Sequence, residues 1–238
     1  MARRGKFITF EGLDGTGKST QMRKLAAVLR AAGHKVVETR EPGGTATGEK
    51  IRRVLLDSST EGLAPMAEMA LMFASRAQHI EEVILPALER GQIVLCDRFT
   101  DSTEAYQGSG RRLGSAVVIE LHRLLCGGLQ PDLTILLESD VAKSLGRARR
   151  RNQAATHRAN LSKAGSGSNK GAGKHPDENR FEQQNRAFFS RVREGYQVIA
   201  AREPRRVAAV DASGSPAQTH RRIVEILEGR MKLSNKSV

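Results

Sequence analysis

Short apolar runs alternate along this chain with longer segments whose apolar residues recur at helical spacing. Five runs rich in Val, Ile, Leu and Phe predict buried strands, over residues 7–10, 35–39, 92–96, 133–137 and 206–211. Helical periodicity predicts helices near 18–33, 46–57, 65–90, 114–126, 140–151 and 179–201, and another from Pro216 onward. Strands that alternate with helices in this way predict an α/β fold, with a five-stranded, mostly parallel sheet and helices on both faces.

The longest predicted helix contains a proline and an unusual number of methionines. Pro86 lacks a backbone N–H, so we expect the helix to kink or restart there. Its apolar surface is widened by Met66, Met69, Met72 and Phe73. Such a surface fits a core helix, and it also fits a contact between subunits.

Residues 152–178 differ in composition from the rest of the chain. They are rich in Gly, Ser, Ala, Asn and Lys and almost free of apolar residues, so they cannot bury enough surface to order themselves. We therefore expect a single domain over 1–238, interrupted by a flexible insertion at about 150–180.

Length and cysteine usage limit the size of the core and the cellular compartment of the chain. The chain has 238 residues, enough to bury a substantial core, and no Trp, so mainly aliphatic residues must build that core. Cys96 and Cys126 lie in apolar surroundings far apart in the sequence, which predicts buried free thiols in a reducing compartment. No signal-peptide core or membrane-spanning run is evident, so a cytoplasmic location is expected.

The net charge of +13 first suggests a nucleic acid partner, but this charge is concentrated in one segment. Residues 141–180 hold ten Lys and Arg against two acidic residues, which accounts for eight of the thirteen net positive charges. A local arginine cluster suits phosphoryl transfer as well as it suits a polynucleotide. The segment contains no Phe, Tyr or Trp to stack on bases, which counts against nucleic acid binding.

A glycine-rich motif, GLDGTGKS, directly follows the first predicted strand and precedes an amphipathic helix. It matches the phosphate-binding loop G-x-x-x-x-G-K-S, in which glycines let several backbone N–H groups converge on one anion. Lys18 is placed to reach the β- and γ-phosphates, and the Ser19 hydroxyl to ligate Mg²⁺. The residues predicted to bind ATP are Gly12, Leu13, Asp14, Gly15, Thr16, Gly17, Lys18, Ser19 and Thr20.

A second candidate site follows the third predicted strand, which delivers Asp97 and Arg98. Ligands of open α/β sheets bind beyond the carboxyl ends of the strands, so this pair is expected near the glycine loop. A guanidinium fork matches two oxygens of a monophosphate, which favours Arg98 as a phosphate clamp. The alternative is an ordinary surface ion pair, which would contribute little.

Five segments together resemble thymidylate kinases, the enzymes that move the γ-phosphoryl of ATP to dTMP. They are Gly12–Thr20, Arg40–Thr45, Ser75–Gln78, Asp97–Gly108 and Pro131–Leu133, and the resemblance covers about 6–150 and 179–231. It implies a P-loop kinase fold, ATP and dTMP as substrates, Mg²⁺ as cofactor, and a homodimer formed through the Met-rich helix. No membrane or nucleic acid partner is expected.

The resemblance also assigns roles to individual residues. Arg98 would clamp the dTMP phosphate, and Asp14 would lie near the sugar and Mg²⁺. Arg76 would hydrogen-bond the thymine, and Tyr106 would fill the space of a ribose 2′-OH. Glu41 and Pro42 would shape the pocket wall, and Ser102 and Thr103 would face the base edge. The implied catalytic residues are Lys18, Asp14, Arg98, Arg149 and Arg151. The implied substrate-binding residues are Asp14, Glu41, Pro42, Met72, Phe73, Arg76, Arg98, Ser102, Thr103, Tyr106 and Gln107. The implied metal ligands are Ser19 and Asp97.

Two departures from the family pattern leave alternatives open. Family members often carry a phenylalanine four positions before the helix arginine, where this chain has Met72, so either Met72 or Phe73 packs on thymine. The glycine loop contains no arginine, so the arginine that closes over the γ-phosphate is expected in the basic segment. There, Arg149, Arg151 and Arg180 match the family best.

Other functions fit part of the sequence. A sister nucleotide kinase with another acceptor would share the glycine loop, and a nucleic-acid-binding P-loop ATPase would use the basic residues of 141–180. The insertion is alternatively a docking segment for an acidic partner. No Ser-His-Asp or Cys-His arrangement is apparent, and the six His show no metal-ligand spacing.

Overall fold

A computed structural model describes residues 4–60, 62–147, 150, 180–181 and 183–231. Within these residues five strands form one sheet in the order β2-β3-β1-β4-β5, and every pairing is parallel. The strands are β1 (Phe7–Glu11), β2 (Val36–Arg40), β3 (Ile93–Asp97), β4 (Leu133–Glu138) and β5 (Val207–Asp211). The predicted α/β fold is confirmed, and each strand lies where the apolar run predicted it.

Helices connect the strands and cover the sheet. They are α1 (Lys18–Ala31), α2 (Ala46–Leu56), α3 (Pro65–His79), α4 (Leu85–Glu89), α5 (Thr100–Thr103), α6 (Ser115–Cys126), α7 (141–147), α8 (Arg186–Arg202) and α9 (Pro216–Met231). A π-helical segment, Glu104–Gly110, continues α5.

The long helical segment restarts next to its proline, as predicted. A π-helical turn, Ile80–Ile84, joins α3 to α4, and Pro86 lies in the first turn of α4. The Leu85 N–H bonds to the Ile80 carbonyl, five residues back. A wider turn is the expected response because Pro86 has no N–H for an α-helical bond.

Both faces of the sheet are buried. Ile8 and Phe10 pack with α1 and α9 on one side, while Phe7 packs with α3 and α6 on the other. Successive side chains of a strand point to opposite faces of the sheet, and both faces are buried. The strands are therefore apolar at successive positions. A third cluster packs Tyr106 of the π-helical segment against Phe188 and other residues of α8.

The Met-rich helix α3 is mostly buried or partly buried. Met69 is fully buried, whereas Met66 is half exposed, so α3 is mainly a core helix with one exposed apolar end. Cys96 and Cys126 are buried free thiols, as predicted. None of the helices in the described ranges is both long and apolar enough to cross a membrane. The insertion at 152–178 lies outside the described residues.

Candidate active site

The glycine loop connects β1 to α1 through three residues with positive φ. Gly12, Gly15 and Gly17 have φ values of 125°, 81° and 102°. A Cβ on Gly12 would lie 2.3 Å from the Leu137 carbonyl oxygen, so only glycine fits there. The helix that begins at Lys18 adds free N–H groups and the positive end of its dipole. The loop is therefore built to hold an anion.

The Lys18 ammonium is folded across this loop. Its Nζ donates to the carbonyl oxygens of Gly12 and Leu13 at 3.0 Å each and lies 3.9 Å from Asp14 Oδ1. Burial and the nearby Arg98 lower the pKa of Lys18, whereas neighbouring carboxylates oppose this shift. A phosphate at the loop would therefore be a favourable partner for this buried charge.

Two oxygen ligands meet beside the loop. The Ser19 hydroxyl, in the first turn of α1, donates to Asp97 Oδ2 at 2.7 Å. Asp97 is the last residue of β3, the strand next to β1. A hydroxyl and a carboxylate are the hard oxygen donors that Mg²⁺ prefers, so this donor set fits the ion.

Arg98 faces the same cleft and is held by four side chains. Its Nη2 donates to Asp14 Oδ1 at 2.9 Å and to the Tyr106 hydroxyl at 3.1 Å. Its Nη1 donates to Ser102 Oγ at 3.0 Å and to the Tyr196 hydroxyl at 3.2 Å. Burial alone would lower the pKa of Arg98, but Asp14 and its other neighbours raise that pKa well above the ordinary value. The guanidinium is therefore a permanent positive charge directed at the glycine loop.

A second arginine is buried between two aromatic rings. Arg76 is 2% exposed, and its guanidinium carbon lies 5.0 Å from the centre of the Phe73 ring and 5.1 Å from that of Phe99. Its Nε donates to Glu41 Oε2 at 2.7 Å, and its Nη2 donates to Thr103 Oγ1 at 2.9 Å. Burial would raise the pKa of Glu41, but Arg76 and a neighbouring histidine lower it. The remaining nitrogen, Nη1, is buried with no hydrogen-bond partner, which marks a missing acceptor.

Glu41 belongs to a buried polar wall. Its Oε1 lies 3.0 Å from His79 Nδ1, and His79 Nε2 lies 2.6 Å from Thr39 Oγ1. The Cys96 thiol donates to the Arg98 carbonyl oxygen at 3.0 Å. In the described part of the chain, Glu41, His79 and Cys96 have ligand atoms within 4.8 Å of one another. Each already has a hydrogen-bond partner, so we interpret them as a structural network.

The structure separates the two candidates for contact with a base. Phe73 is fully buried in the core cluster of Phe7 and Phe99, so it supports Arg76 from behind rather than lining a pocket. Met72 is partly exposed and packs against the cluster that contains Tyr106. The Phe73 ring lies in the core because that position of α3 faces the sheet, which favours Met72 of the two predicted candidates.

Two further candidates lie in a buried cluster around Glu68. This fully buried carboxylate accepts from Gln107 Nε2 at 2.8 Å and from Arg111 Nη2 at 3.0 Å, and it pairs with Arg180 Nη2 at 2.8 Å. Arg180 Nε also donates to the Leu55 carbonyl oxygen at 2.5 Å. Gln107 therefore ties the π-helical segment to α3, and Arg180 ties α2 and α3 to the chain before α8. Arg149 and Arg151 lie outside the described residues.

Two residues at the site were not singled out from the sequence. Glu11, the last residue of β1, is fully buried and accepts from Ser102 Oγ at 2.5 Å. Tyr196 of α8 donates to the same carboxylate oxygen at 2.9 Å. A carboxylate at the end of an apolar strand run is a signal for Glu11, whereas Tyr196 follows the ordinary apolar periodicity of its helix.

Comparison with known proteins identifies the family. The family model described as Thymidylate kinase matches residues 10–223, a range that includes the glycine loop and Arg98. The chain belongs to the thymidylate kinase family. A thymidylate kinase of Trichlorobacter lovleyi is 48% identical over 225 residues, which cover 94% of this chain and 98% of that protein. One from Citrifermentans bemidjiense is 46% identical over 233 residues, covering 98% and 96% respectively.

Comparison with solved structures indicates the same family. The crystal structure of thymidylate kinase from Ehrlichia chaffeensis matches with a TM-score of 0.68 at 30% identity, covering 94% of this chain and 99% of that one. The resemblance to thymidylate kinases inferred from the motifs is confirmed, and so is the α/β kinase fold.

Proposed function

We propose that this chain transfers the γ-phosphoryl of ATP to dTMP, giving dTDP and ADP. The observation that carries the proposal is the 2.9 Å contact between Arg98 Nη2 and Asp14 Oδ1, which joins the acceptor clamp to the donor loop. Phosphoryl transfer depends chiefly on positioning and on neutralising the negative charge of the phosphates. Lys18 Nζ and Arg98 Nη2 lie 3.9 and 2.9 Å from the same Asp14 oxygen, so they supply positive charge at one place, as this reaction requires.

On the donor side, the loop residues Gly12–Thr20 surround the ATP phosphates with backbone N–H groups. Lys18 leaves the carbonyl oxygens of Gly12 and Leu13 and pairs with the β- and γ-phosphates. Ser19 and Asp97 would hold Mg²⁺, which would supply positive charge to neutralise the phosphate oxygens.

On the acceptor side, Arg98 Nη2 leaves Asp14 and the Tyr106 hydroxyl and donates to the dTMP phosphate, while Nη1 stays bonded to Ser102 and Tyr196. The unpaired Nη1 of Arg76 donates to a carbonyl oxygen of thymine, which supplies the missing acceptor. Thr103 and Glu41 fix Arg76 in place, and Tyr106 packs against the deoxyribose.

We propose that Arg149 and Arg151 are catalytic, solely because they match the arginines of the family that this chain resembles. Arg180 is a weaker candidate for this task because its guanidinium is already paired with Glu68. We propose that it anchors the chain that leads into α8.

A coupled assay that follows ADP formation tests the proposed reaction. With ATP and Mg²⁺, dTMP should be the preferred acceptor over dUMP and CMP, and thymidine should give no turnover because it lacks the phosphate that Arg98 binds. Turnover with CMP but not dTMP would identify a sister kinase. ATP hydrolysis that requires single-stranded DNA and ignores dTMP would support the nucleic-acid-binding alternative.

Met72 is expected to contact the thymine ring. Met72→Ala should raise the KM for dTMP by about twofold to tenfold, because a sulfur–aromatic contact contributes about 0.3–1.5 kcal/mol. Steady-state kinetics with varied dTMP measure this, and kcat should change little. Phe73→Leu is the matched control and should mainly lower Tm; a larger rise in KM from Phe73→Leu than from Met72→Ala would reverse the assignment.

We also propose a cytoplasmic homodimer, formed where α2 and α3 expose apolar side chains. Val54 and Met66 are 47% and 50% exposed on these neighbouring helices. Light scattering should give twice the chain mass of 26.0 kDa, and Met66→Glu should shift it towards the monomer. Val198→Glu adds the same charge to an exposed position of α8 and should change nothing. A monomeric wild type at micromolar concentration would contradict the proposal.

A further inference from the structure

The backbone of Arg98 is held in an unusual conformation. Its φ is 72°, in the left-handed region that residues with a side chain rarely adopt. The Arg98 N–H donates to the Phe10 carbonyl oxygen at 2.9 Å. The next N–H, that of Phe99, donates to Glu11 Oε1 at 2.7 Å. One oxygen of Glu11 therefore fixes the main chain immediately after the strained residue.

The other oxygen of Glu11 acts on the Arg98 side chain through two hydroxyls. Glu11 Oε2 accepts from Ser102 at 2.5 Å and from Tyr196 at 2.9 Å. Each of these hydroxyls in turn accepts from Arg98 Nη1, at 3.0 and 3.2 Å. A hydroxyl has one hydrogen, so donation to Glu11 leaves only its lone pairs for the guanidinium. An ionised Glu11 thus holds both hydroxyl hydrogens away from Arg98, so that both hydroxyls can accept from its guanidinium.

We propose that Glu11 is the positioning residue of the acceptor-phosphate clamp, acting on Arg98 through Phe99, Ser102 and Tyr196. This inference rests on the proposed role of Arg98 in binding the dTMP phosphate. A neutral amide at position 11 keeps the shape of the side chain but replaces one accepting oxygen with a donor. The amide nitrogen must face either the two hydroxyls or the Phe99 N–H. In the first case both hydroxyls lose their acceptor, and in the second the main chain after Arg98 loses its acceptor, so either arrangement displaces Arg98.

The electrostatic surroundings of Glu11 favour a change in its protonation within the neutral pH range. Burial raises the pKa of Glu11 to about 7; Asp101 adds to this rise, and Arg98 opposes it. The charged or titratable groups that surround this carboxylate are Asp101, Arg98, Tyr196, Tyr106, Lys18 and Cys96. As pH falls through this value Glu11 gains a proton, loses accepting capacity, and loosens the clamp. Affinity for the acceptor should therefore fall on acidification.

Kinetics of Glu11→Gln and Tyr196→Phe test the proposal. Glu11→Gln should raise the KM for dTMP about tenfold at pH 8, as expected for loss of a charge-assisted hydrogen bond, and leave the KM for ATP within about twofold. Tyr196→Phe keeps the packing of α8 and should raise the KM for dTMP about threefold. The surface control Glu120→Gln should behave as wild type. KM values for dTMP within twofold of wild type in both Glu11→Gln and Tyr196→Phe would overturn the inference.

Two further readouts separate positioning from general destabilisation. In the Arg98→Ala background, Glu11→Gln should have no additional effect on the KM for dTMP; a full additional effect would overturn the inference. The ratio of the KM values of Glu11→Gln and wild type should fall towards one between pH 8 and pH 6, because the wild-type carboxylate becomes protonated. The ionisation of dTMP affects both KM values equally and therefore cancels in this ratio. A ratio that does not change with pH would contradict the proposal. If Arg98→Ala leaves the KM for dTMP unchanged, the assignment of the clamp fails instead.

Discussion

Replacing Lys18 with alanine is expected to lower kcat by about a thousandfold or more, which corresponds to about 4 kcal/mol of transition-state stabilisation. The ammonium is buried in the glycine loop, where it donates to two carbonyl oxygens and lies 3.9 Å from Asp14 Oδ1. It therefore has the reach and the charge to follow the γ-phosphoryl as negative charge moves onto the bridging oxygen. No other Lys is buried in the described part of this loop and its helix.

Stopped-flow or coupled kinetics of Lys18→Ala and Lys18→Met measure this effect. Both variants should remain folded, with a Tm within a few degrees of wild type. The lowered pKa of Lys18 means that its charged form is less favourable in the fold than in the unfolded chain, so removing the charge relieves that cost. Lys24→Ala, an exposed change on the same helix, is the control. Retention of more than about a tenth of wild-type kcat by Lys18→Met would remove Lys18 from the catalytic step.

Replacing Arg98 with alanine is expected to lower kcat/KM for dTMP by about a hundredfold to a thousandfold, because two charge-assisted hydrogen bonds to the acceptor phosphate are lost. The effect should appear in both the KM for dTMP and kcat, whereas the KM for ATP should change much less. Arg123→Ala removes an exposed arginine of α6 and should have no effect. A near-normal KM for dTMP in Arg98→Ala would show that the phosphate binds elsewhere.

The positive φ at Arg98 allows a second comparison. Arg98→Gly should lose the same activity as Arg98→Ala yet be about 1 kcal/mol more stable, because alanine retains the left-handed strain that glycine does not feel. Urea unfolding of the two variants measures the difference. Equal stabilities would show that the backbone at this position is relaxed in the folded protein.

The proposed pairing of a donor loop with an acceptor clamp requires no covalent nucleophile. The donor loop and the clamp approach each other because β1 and β3 are adjacent and parallel, so both carboxyl ends open into one cleft. Transfer then requires only that the two phosphates are aligned and their charges neutralised. The buried Glu68 cluster joins neighbouring helices, and we propose that the Glu11 network holds Arg98 in place for this alignment.

The sequence alone determined the parts that depend on local pattern. Apolar runs and helical periods placed the five strands and most helices, since burial on a sheet or a helix face imposes a fixed repeat along the chain. The glycine loop and the Asp97-Arg98 pair were recognisable because each function requires particular residue types at fixed spacing. Pro86 marked the restart of the long helix because the missing N–H acts locally.

Only the tertiary structure decided which side chains meet. Met72 and Phe73 are neighbours in sequence, and the crossing of α3 over the sheet turned Phe73 into the core. Arg180 was brought to Glu68, and Tyr196 was brought to Glu11 across 185 positions of sequence. These pairings depend on strand order and on how helices pack, and a residue's own periodicity reports that it faces inward without identifying its partner.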